Sequence, residues 1–162
     1  MIMHIRTATM ADLENIAAVE AQCFPAAEAA SKASFQERLT YYPKHFWLLE
    51  EGRELMGFVN GLVTDQAHLT DEMFACASLH DEHGAWQMIF GVNTMPAYRR
   101  RGYAGKILQQ AIADAKQQQR QGLVLTCKDR LVHYYAKFGF VDEGICDSTH
   151  GGAVWHEMRL VL

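Results

Sequence analysis

The chain has 162 residues, of which 49% are hydrophobic and 21% are charged, and its formal net charge is −4 at pH 7. This size and composition suit one globular domain with a full-sized core, so we predict a single domain over residues 1–162. The slight negative charge excludes a general electrostatic attraction to nucleic acid or to anionic membranes, and we expect neither as a partner.

The first half of the chain predicts one strand, two helices and a β-hairpin. Apolar spacing and capping residues indicate the helices, and a Glu-Gly-Arg turn joins the two hairpin strands. In order, the elements are a strand at Met3–Arg6, a helix from Thr9 or Asp12 to Cys23 that Phe24-Pro25 ends, a helix from Ser34 that stops before Pro43, and strands at Phe46–Glu50 and Leu55–Val63.

The second half begins with a polar stretch, Asp65–His83, in which we predict one short helix near Glu72–Ala77. The later elements are strands at Trp86–Thr94, Leu123–Cys127, Phe140–Ile145 and Val154–Leu160, a helix at Gly102–Gln121 closed by Gly122, and a helix at Leu131–Phe138. This order predicts an α/β (mixed α+β) fold with a mixed, mostly antiparallel sheet of about seven strands and helices on both faces. We expect the unit Trp86–Cys127 to be a parallel β-α-β crossover.

A basic, glycine-bearing turn lies where the strand Trp86–Thr94 gives way to a helix. Its sequence over residues 96–105 is Pro-Ala-Tyr-Arg-Arg-Arg-Gly-Tyr-Ala-Gly. The first N–H groups of a helix lack intrahelical partners, and the helix dipole is positive there. We therefore predict a phosphate site built from backbone N–H groups, with Arg99, Arg100 and Arg101 around it.

The cysteines and histidines point to a reduced protein without a structural metal. The first residues lack a signal-peptide pattern, and no apolar run reaches membrane-spanning length. The four cysteines form no C-x-x-C pair, and we expect them to be reduced in a cytoplasmic protein. The eight histidines form no metal-binding pattern, so we predict no metal. The cysteines are Cys23, Cys76, Cys127 and Cys146.

Two motifs resemble those of the GNAT superfamily of N-acetyltransferases. Arg99–Ala104 matches the pyrophosphate loop of that superfamily, Q/R-x-x-G-x-G/A. The segment Cys127–Phe140 ends in Tyr-x-Lys-Phe-Gly-Phe, which is typical of the superfamily. The Cys-x-Asp-x-Leu-Val-x-x-Tyr spacing in that segment, and the sequence Cys23-Phe24-Pro25, are most similar to the serotonin (arylalkylamine) N-acetyltransferase branch.

The resemblance implies a GNAT fold with a splayed central strand, acetyl-coenzyme A as the donor, and a primary amine, in this branch a small arylalkylamine, as the acceptor. It implies that the main chain of residues 92–94 faces the pantetheine arm and that the N–H groups of residues 100–105 hold the pyrophosphate without a metal. The expected cofactor-binding residues are Val92, Asn93, Thr94, Arg99, Arg100, Arg101, Gly102, Tyr103, Ala104, Gly105 and Cys127.

The same resemblance gives Tyr135 the role of the acid that protonates the departing thiolate. A phenol with a pKa near ~10 and a thiol near ~8.5 can exchange a proton without extreme tuning. The resemblance does not identify the general base that accepts the amine proton, because Met88 and Phe90 stand here in place of the paired histidines of the serotonin enzymes. His80, Asp81, His133 and an ordered water chain are the alternatives, and a backbone N–H at Gly91 or Val92 is expected to meet the oxyanion.

The acceptor side is described by aromatic and apolar residues rather than by a motif. The candidates are Phe24, Pro25, Trp86, Met88 and Phe90, with Phe35 and Trp155 as further aromatics and the turn Ser148–Ala153 as a border. Two other functions stay open at this point. One is acetylation of a protein lysine or N-terminus, and the other is a non-catalytic acyl-coenzyme A-binding module. A homodimer is also compatible with the sequence.

Overall fold

The computed structural model describes residues 2–148 and 150–162, so Thr149 of the turn Ser148–Ala153 lies outside the described residues. The fold consists of two compact units. The first unit is Met1–Gly61 with Gly91–Ala111, and the second unit is Leu62–Phe90 with Ile112–Leu162.

The described residues form nine strands and five α-helices. The strands are β1 (Met3–Thr7), β2 (Phe46–Glu51), β3 (Glu54–Asn60), β4 (Val63–Thr64), β5 (Trp86–Ile89), β6 (Gly91–Thr94), β7 (Gly122–Cys127), β8 (Val141–Ile145) and β9 (His156–Val161). The helices are α1 (Leu13–Cys23), α2 (Lys32–Tyr41), α3 (Asp71–Ala75), α4 (Tyr103–Gln117) and α5 (Val132–Ala136).

In the first unit, an antiparallel sheet in the order β1-β2-β3-β6 has an aromatic core. Phe35 of α2 lies edge-on to Phe46 and Phe58, with ring centroids 6.1 and 5.7 Å away. At the start of the unit, the Arg6 guanidinium donates to the carboxylates of both Asp12 and Glu50 and lowers the pKa of each. These contacts hold the N-terminal strand and the beginning of α1 in place.

In the second unit, the sheet has the order β4-β5-β7-β9-β8. β5 and β7 are parallel, with Ile89 opposite Leu125, and the other strand pairs are antiparallel. The predicted parallel crossover between these strands is therefore present. Because ligands bind at the carboxyl ends of parallel strands, the residues directly after β5 and β7 are candidate site residues.

Two predicted strands are each divided in the structure, which explains why about seven predicted strands become nine observed ones. The predicted strand Leu55–Val63 is split into β3 and β4, and the predicted strand Trp86–Thr94 is split at Phe90 into β5 and β6. In both cases, the two parts of the predicted strand belong to different sheets. Hydrophobic periodicity reports burial and not the hydrogen-bonding partner, so it cannot detect such a change of partner.

The end of α4 corrects one prediction. The helix ends at Gln117, and Gln119 adopts a left-handed backbone with φ of 62°. The N–H of Arg120 donates to the carbonyl of Ala115 and that of Gln119 to the carbonyl of Lys116, a Schellman closure. Gly122 was wrongly predicted to close the helix. It begins β7, where a Cβ would overlap the carbonyl of Leu160.

α4 is 15 residues long, and none of the helices in the described residues is both long and apolar enough to cross a membrane. The four cysteines are free thiols, as predicted. Ile107, Leu108 and Ala111, which follow helical spacing along α4, are fully buried.

The contact between β3 and β6 gives a stability prediction. Gly57 lies opposite Thr94, and a Cβ at Gly57 would overlap the carbonyl oxygen of Asn93 and lie 3.1 Å from the Cα of Thr94. Both obstacles are backbone, so Gly57→Ala must push the two strands apart. We expect the free energy of unfolding in urea to fall by about 2–3 kcal/mol.

Gly91→Ala is the matched control, because a Cβ there meets only the Asn60 side-chain nitrogen at 3.7 Å. We expect this variant to change the free energy of unfolding by less than about 1 kcal/mol. Equal losses in the two variants would contradict the packing argument.

Candidate functional site

The turn between β6 and α4 presents a row of main-chain N–H groups. After a 3-10 turn at Pro96–Tyr98, Arg100 and Gly102 adopt left-handed backbone with φ of 65° and 78°. Among the described residues, none of the N–H groups from Arg100 to Gly105 donates to a backbone carbonyl, and the first that does is that of Lys106, to Gly102 at 3.2 Å. Such a row, at the positive end of a helix of 15 residues, can bind an anion.

The three arginines of this turn occupy different places. Arg99 is turned back onto the protein, where its Nε donates to the carbonyl of Thr94 at 3.1 Å and its Nη2 to the carbonyl of Cys23 at 3.4 Å. The Arg101 guanidinium lies 5.9 Å from the ring centroid of Tyr98, and Arg100 is exposed. Arg99 therefore fixes the turn, while Arg100 and Arg101 supply positive charge beside the N–H groups.

β6 has a main-chain edge that is open among the described residues. It is the last strand of its sheet and pairs with β3 on one side only. The Asn93 side chain is buried, where its Oδ1 accepts from the N–H of Phe58 at 2.9 Å and its Nδ2 lies 3.4 Å from Glu20. The side chain of Asn93 is thus structural. What Val92, Asn93 and Thr94 can offer a ligand on the open side is main chain.

The loop after α1 contains Phe24, which is half-buried, and Pro25, which is exposed. Two contacts order this loop. The Glu20 carboxylate accepts from the N–H of Ala30 at 2.9 Å, and the carbonyl of Cys23 accepts from Arg99. The same guanidinium thus joins the beginning of this loop to the end of β6.

In the second unit, Tyr135 is a buried phenol on α5, 7% exposed. Its ring lies edge-on to Tyr134 and Phe140, at centroid distances of 5.1 and 6.3 Å. Burial, with smaller contributions from Tyr134 and Cys127, raises the pKa of Tyr135 above its ordinary range. In the described part of the chain, its hydroxyl forms no hydrogen bond with a protein group. Tyr135 is therefore a protonated donor whose hydroxyl has no acceptor among the residues that the structure describes.

Cys127, at the end of β7, is buried, and its Sγ donates to the sulfur of Met158 at 3.5 Å. Burial, reinforced by Asp142 and Asp129, raises the pKa of this thiol to about 11. A thiol of this kind is unreactive near neutral pH. Its main chain, rather than its sulfur, is what Cys127 could offer a cofactor.

The bases considered from the sequence are engaged or exposed. His80 accepts a hydrogen bond from the N–H of Val63 at Nδ1, 3.0 Å away, and its Nε2 lies 3.0 Å from the Glu82 carboxylate. Asp81 is exposed and accepts from the N–H of His83. His133 is exposed on α5. His80 and Asp81 thus have structural roles in the loop that precedes β5.

An aromatic row, Phe90, Phe74, His150 and Trp155, lies in the second unit. Phe74 of α3 packs on Phe90 with a centroid distance of 4.4 Å. The His150 ring is parallel to Phe74 within 10° at 5.5 Å and lies 6.1 Å from Trp155. Phe90 and Trp155 were predicted on the acceptor side, and His150 was included only within the turn Ser148–Ala153 at its border. Phe74 was not predicted, since it belongs to no motif.

The structure does not bring Trp86 to the same place as Phe90. Trp86 begins β5, and Phe90 directly follows that strand. The Trp86 ring lies under the Arg159 guanidinium, 4.6 Å away, and would meet any Cβ placed on Gly122. Met88, between them in sequence, is fully buried. Trp86 and Met88 therefore contribute to the packing of the second unit.

Among the described residues of the second unit, His68, Glu143 and Glu157 have ligand atoms close enough to hold a metal ion, within 4.8 Å of one another. Arg159 already neutralises these carboxylates. Its Nε lies 3.0 Å from Glu143, and its Nη2 lies 3.8 Å from Glu157. The arrangement is an ion-pair network, and His68 and Glu157 also line a cavity of ≈ 530 Å³ in this unit.

Comparison with known proteins decides the family. The model of the acetyltransferase (GNAT) family matches residues 11–140. The chain belongs to the GNAT family. This GNAT chain is 31% identical over 114 residues to serotonin N-acetyltransferase of Mesocricetus auratus, an alignment that covers 70% of the chain and 53% of that protein. The chain thus spans about half the length of this curated relative.

Solved structures agree in fold with the GNAT chain. The loading GNATL domain of CurA from Lyngbya majuscula matches with a TM-score of 0.86 and 15% identity, covering 99% of this chain and 98% of that domain. The GphF GNAT-like decarboxylase in complex with isobutyryl-CoA matches with a TM-score of 0.84 and 23% identity, covering 98% of each chain. The predicted GNAT fold and the predicted acetyltransferase family are confirmed.

Proposed function

We propose that the chain transfers an acetyl group from acetyl-coenzyme A to a primary amine, and that the amine is a small arylalkylamine. The observation that carries this proposal is the row of N–H groups from Arg100 to Gly105, which lacks backbone acceptors at the start of α4. A coenzyme A pyrophosphate is an anion suited to such a row. Family membership supports acetyl transfer as the reaction.

Donor binding uses the main chain of the first unit. The N–H groups of residues 100–105 bind the pyrophosphate, and Arg100 and Arg101 add positive charge without a metal. The open edge of β6, at Val92, Asn93 and Thr94, pairs with the amides of the pantetheine arm in the manner of an added strand. The isobutyryl-CoA complex of the GphF relative supports an acyl-coenzyme A as the donor.

The reaction is a direct attack of the neutral amine on the thioester carbonyl carbon. A C–N bond forms, the C–S bond breaks, the nitrogen loses a proton, and the thiolate receives one from Tyr135. The N–H of Gly91 or Val92 stabilises the charge on the carbonyl oxygen. Holding the two substrates together supplies further acceleration as effective molarity.

The arylalkylamine assignment draws on the serotonin N-acetyltransferase relative and on the apolar residues of the acceptor side. Phe24, Pro25 and Phe90 are among the residues that the sequence suggests for that side. Met88 and Phe90 replace the paired histidines of the serotonin enzymes. We therefore propose a different route for the amine proton and do not assign serotonin as the substrate.

The test is release of free thiol from acetyl-coenzyme A across arylalkylamines, aliphatic amines and lysine or N-terminal peptides. We expect turnover with the arylalkylamines, with kcat/KM at least about tenfold above that with peptides. Faster turnover with peptides would instead indicate a protein acetyltransferase. Calorimetric binding of acetyl-coenzyme A with no turnover for any acceptor would indicate a non-catalytic binding module. The cytoplasmic location and a homodimer stay predictions.

A further inference from the structure

The aromatic row follows the carboxyl edge of the parallel pair β5 and β7. One end is Phe90, the residue directly after β5, and the other end is Trp155, over which the ammonium of Lys128, the residue directly after β7, lies at 5.9 Å. His150 and Phe74 lie between these ends. Because the carboxyl edge of parallel strands is where ligands bind, a titratable ring in this row is placed for chemistry.

His150 is held in position although it belongs to a connection between strands. Its ring stacks on Phe74, and its carbonyl accepts a hydrogen bond from Trp155 Nε1 at 2.8 Å. Its N–H lies 3.4 Å from the hydroxyl of Ser148, which donates to the Asp71 carboxylate at 2.5 Å. Asp71 and Phe74 are both on α3, so that helix fixes the backbone and the ring of His150 together.

We propose that His150 is the general base of the acetyl transfer, an inference that rests on the proposed function. Imidazole is the side chain suited to accepting a proton near neutral pH, and Met88 and Phe90 cannot do so. The amine proton goes to the His150 imidazole as the C–N bond forms. The electron pair of the broken C–S bond goes to sulfur, which takes the proton of Tyr135. Solvent then carries a proton from the imidazolium to the Tyr135 phenolate, and both residues return to their starting protonation states.

The charges near His150 are of both signs. Asp71 and Glu72 belong to α3, and Asp147 lies in the connection of His150 itself. Lys128 lies over Trp155, and Glu157 and His156 begin β9 after that residue. The acidic residues attract a cationic amine to this edge of the sheet, while Lys128 at the far end of the row repels it.

The test is His150→Phe, which keeps an aromatic ring against Phe74 and removes the proton acceptor. We expect kcat/KM for the amine at pH 7 to fall about 100-fold, with the Kd for acetyl-coenzyme A unchanged. The loss should shrink as the pH rises, because hydroxide can then accept the proton of the attacking nitrogen in place of the imidazole. Imidazole added to His150→Ala should restore part of the activity. The matched control is His83→Phe, at an exposed position in the loop before β5, with an expected change below about twofold.

Two results would overturn the proposal in distinguishable ways. If the wild-type protein acetylates amines and His150→Phe stays within twofold of it at every pH, His150 is not the base and the proposed function stands. If the wild-type protein binds acetyl-coenzyme A but acetylates no amine, the proposed function and the role of His150 fail together. If His150→Phe is poorly folded by circular dichroism, the imidazole rescue of His150→Ala decides, and no rescue overturns the role.

Discussion

Replacing Tyr135 by Phe should lower kcat for acetyl transfer by about 100-fold or more, the usual contribution of a general acid, while the Kd for acetyl-coenzyme A changes little. The phenol is nearly buried, and burial raises its pKa, so it carries its proton throughout the neutral range. Because the shift is upward, ionisation of Tyr135 should not reduce kcat below pH ~10. Steady-state kinetics with a thiol reagent and calorimetry of donor binding measure the two quantities.

Tyr134→Phe is the matched control. It removes the same hydroxyl group from a neighbouring ring, which contacts Tyr135 and Phe138. We expect this neighbour variant to keep kcat within about twofold of the wild-type value. A Tyr135→Phe protein with near-normal kcat would remove this residue from the chemistry. A parallel loss in both variants would indicate a packing defect rather than a missing acid.

Gly102→Ala should weaken acetyl-coenzyme A binding at least about tenfold, which corresponds to about 1.4 kcal/mol. Gly102 has φ of 78°, and a Cβ built there has nothing within 4 Å. The methyl group therefore meets no protein atom but stands where the pyrophosphate is proposed to approach the main chain. We also expect the free energy of unfolding to fall by about 1 kcal/mol, because alanine resists the left-handed conformation. Calorimetry and urea unfolding give the two values.

Gly144→Ala is the control that separates the effect of backbone strain from the effect on acetyl-coenzyme A binding. Gly144 also has a positive φ, 100°, and a Cβ there has nothing within 4 Å, but it lies in β8 of the second unit. It should lose a similar amount of stability and bind acetyl-coenzyme A normally. If the two variants bind the donor equally well, the turn before α4 is not the phosphate site.

The features predicted correctly from the sequence depend on local chemistry. The buried face of α4 follows from apolar spacing, and the parallel pair β5 and β7 follows from a strand-helix-strand pattern of sufficient length. The turn at Arg99–Ala104 is a contiguous motif, so its place before α4 could be predicted. Its conformation could be predicted only at Gly102, because the left-handed Arg100 has no sequence signal.

The features missed from the sequence depend on contacts between distant residues. Phe74 and His150 are 76 positions apart in the chain and meet only because the fold stacks their rings. The structural role of His80 needs the N–H of Val63, 17 positions earlier. Gln119 closes α4 in place of the expected Gly122, because the Schellman hydrogen bonds form there and glycine is required by the close approach of β9 instead.

The two hydrogen bonds of Arg99 have a consequence for protein engineering. One guanidinium holds the carbonyl of Thr94 at the end of β6 and that of Cys23 at the end of α1. The loop with Phe24 and Pro25 is therefore not an independent module that can be exchanged to obtain a new substrate range. Any redesign that moves Cys23 also disturbs the anchor of the turn that follows β6, because the same guanidinium donates to both carbonyls. Libraries that vary this loop should retain Arg99 and be selected for donor affinity as well as for the new acceptor.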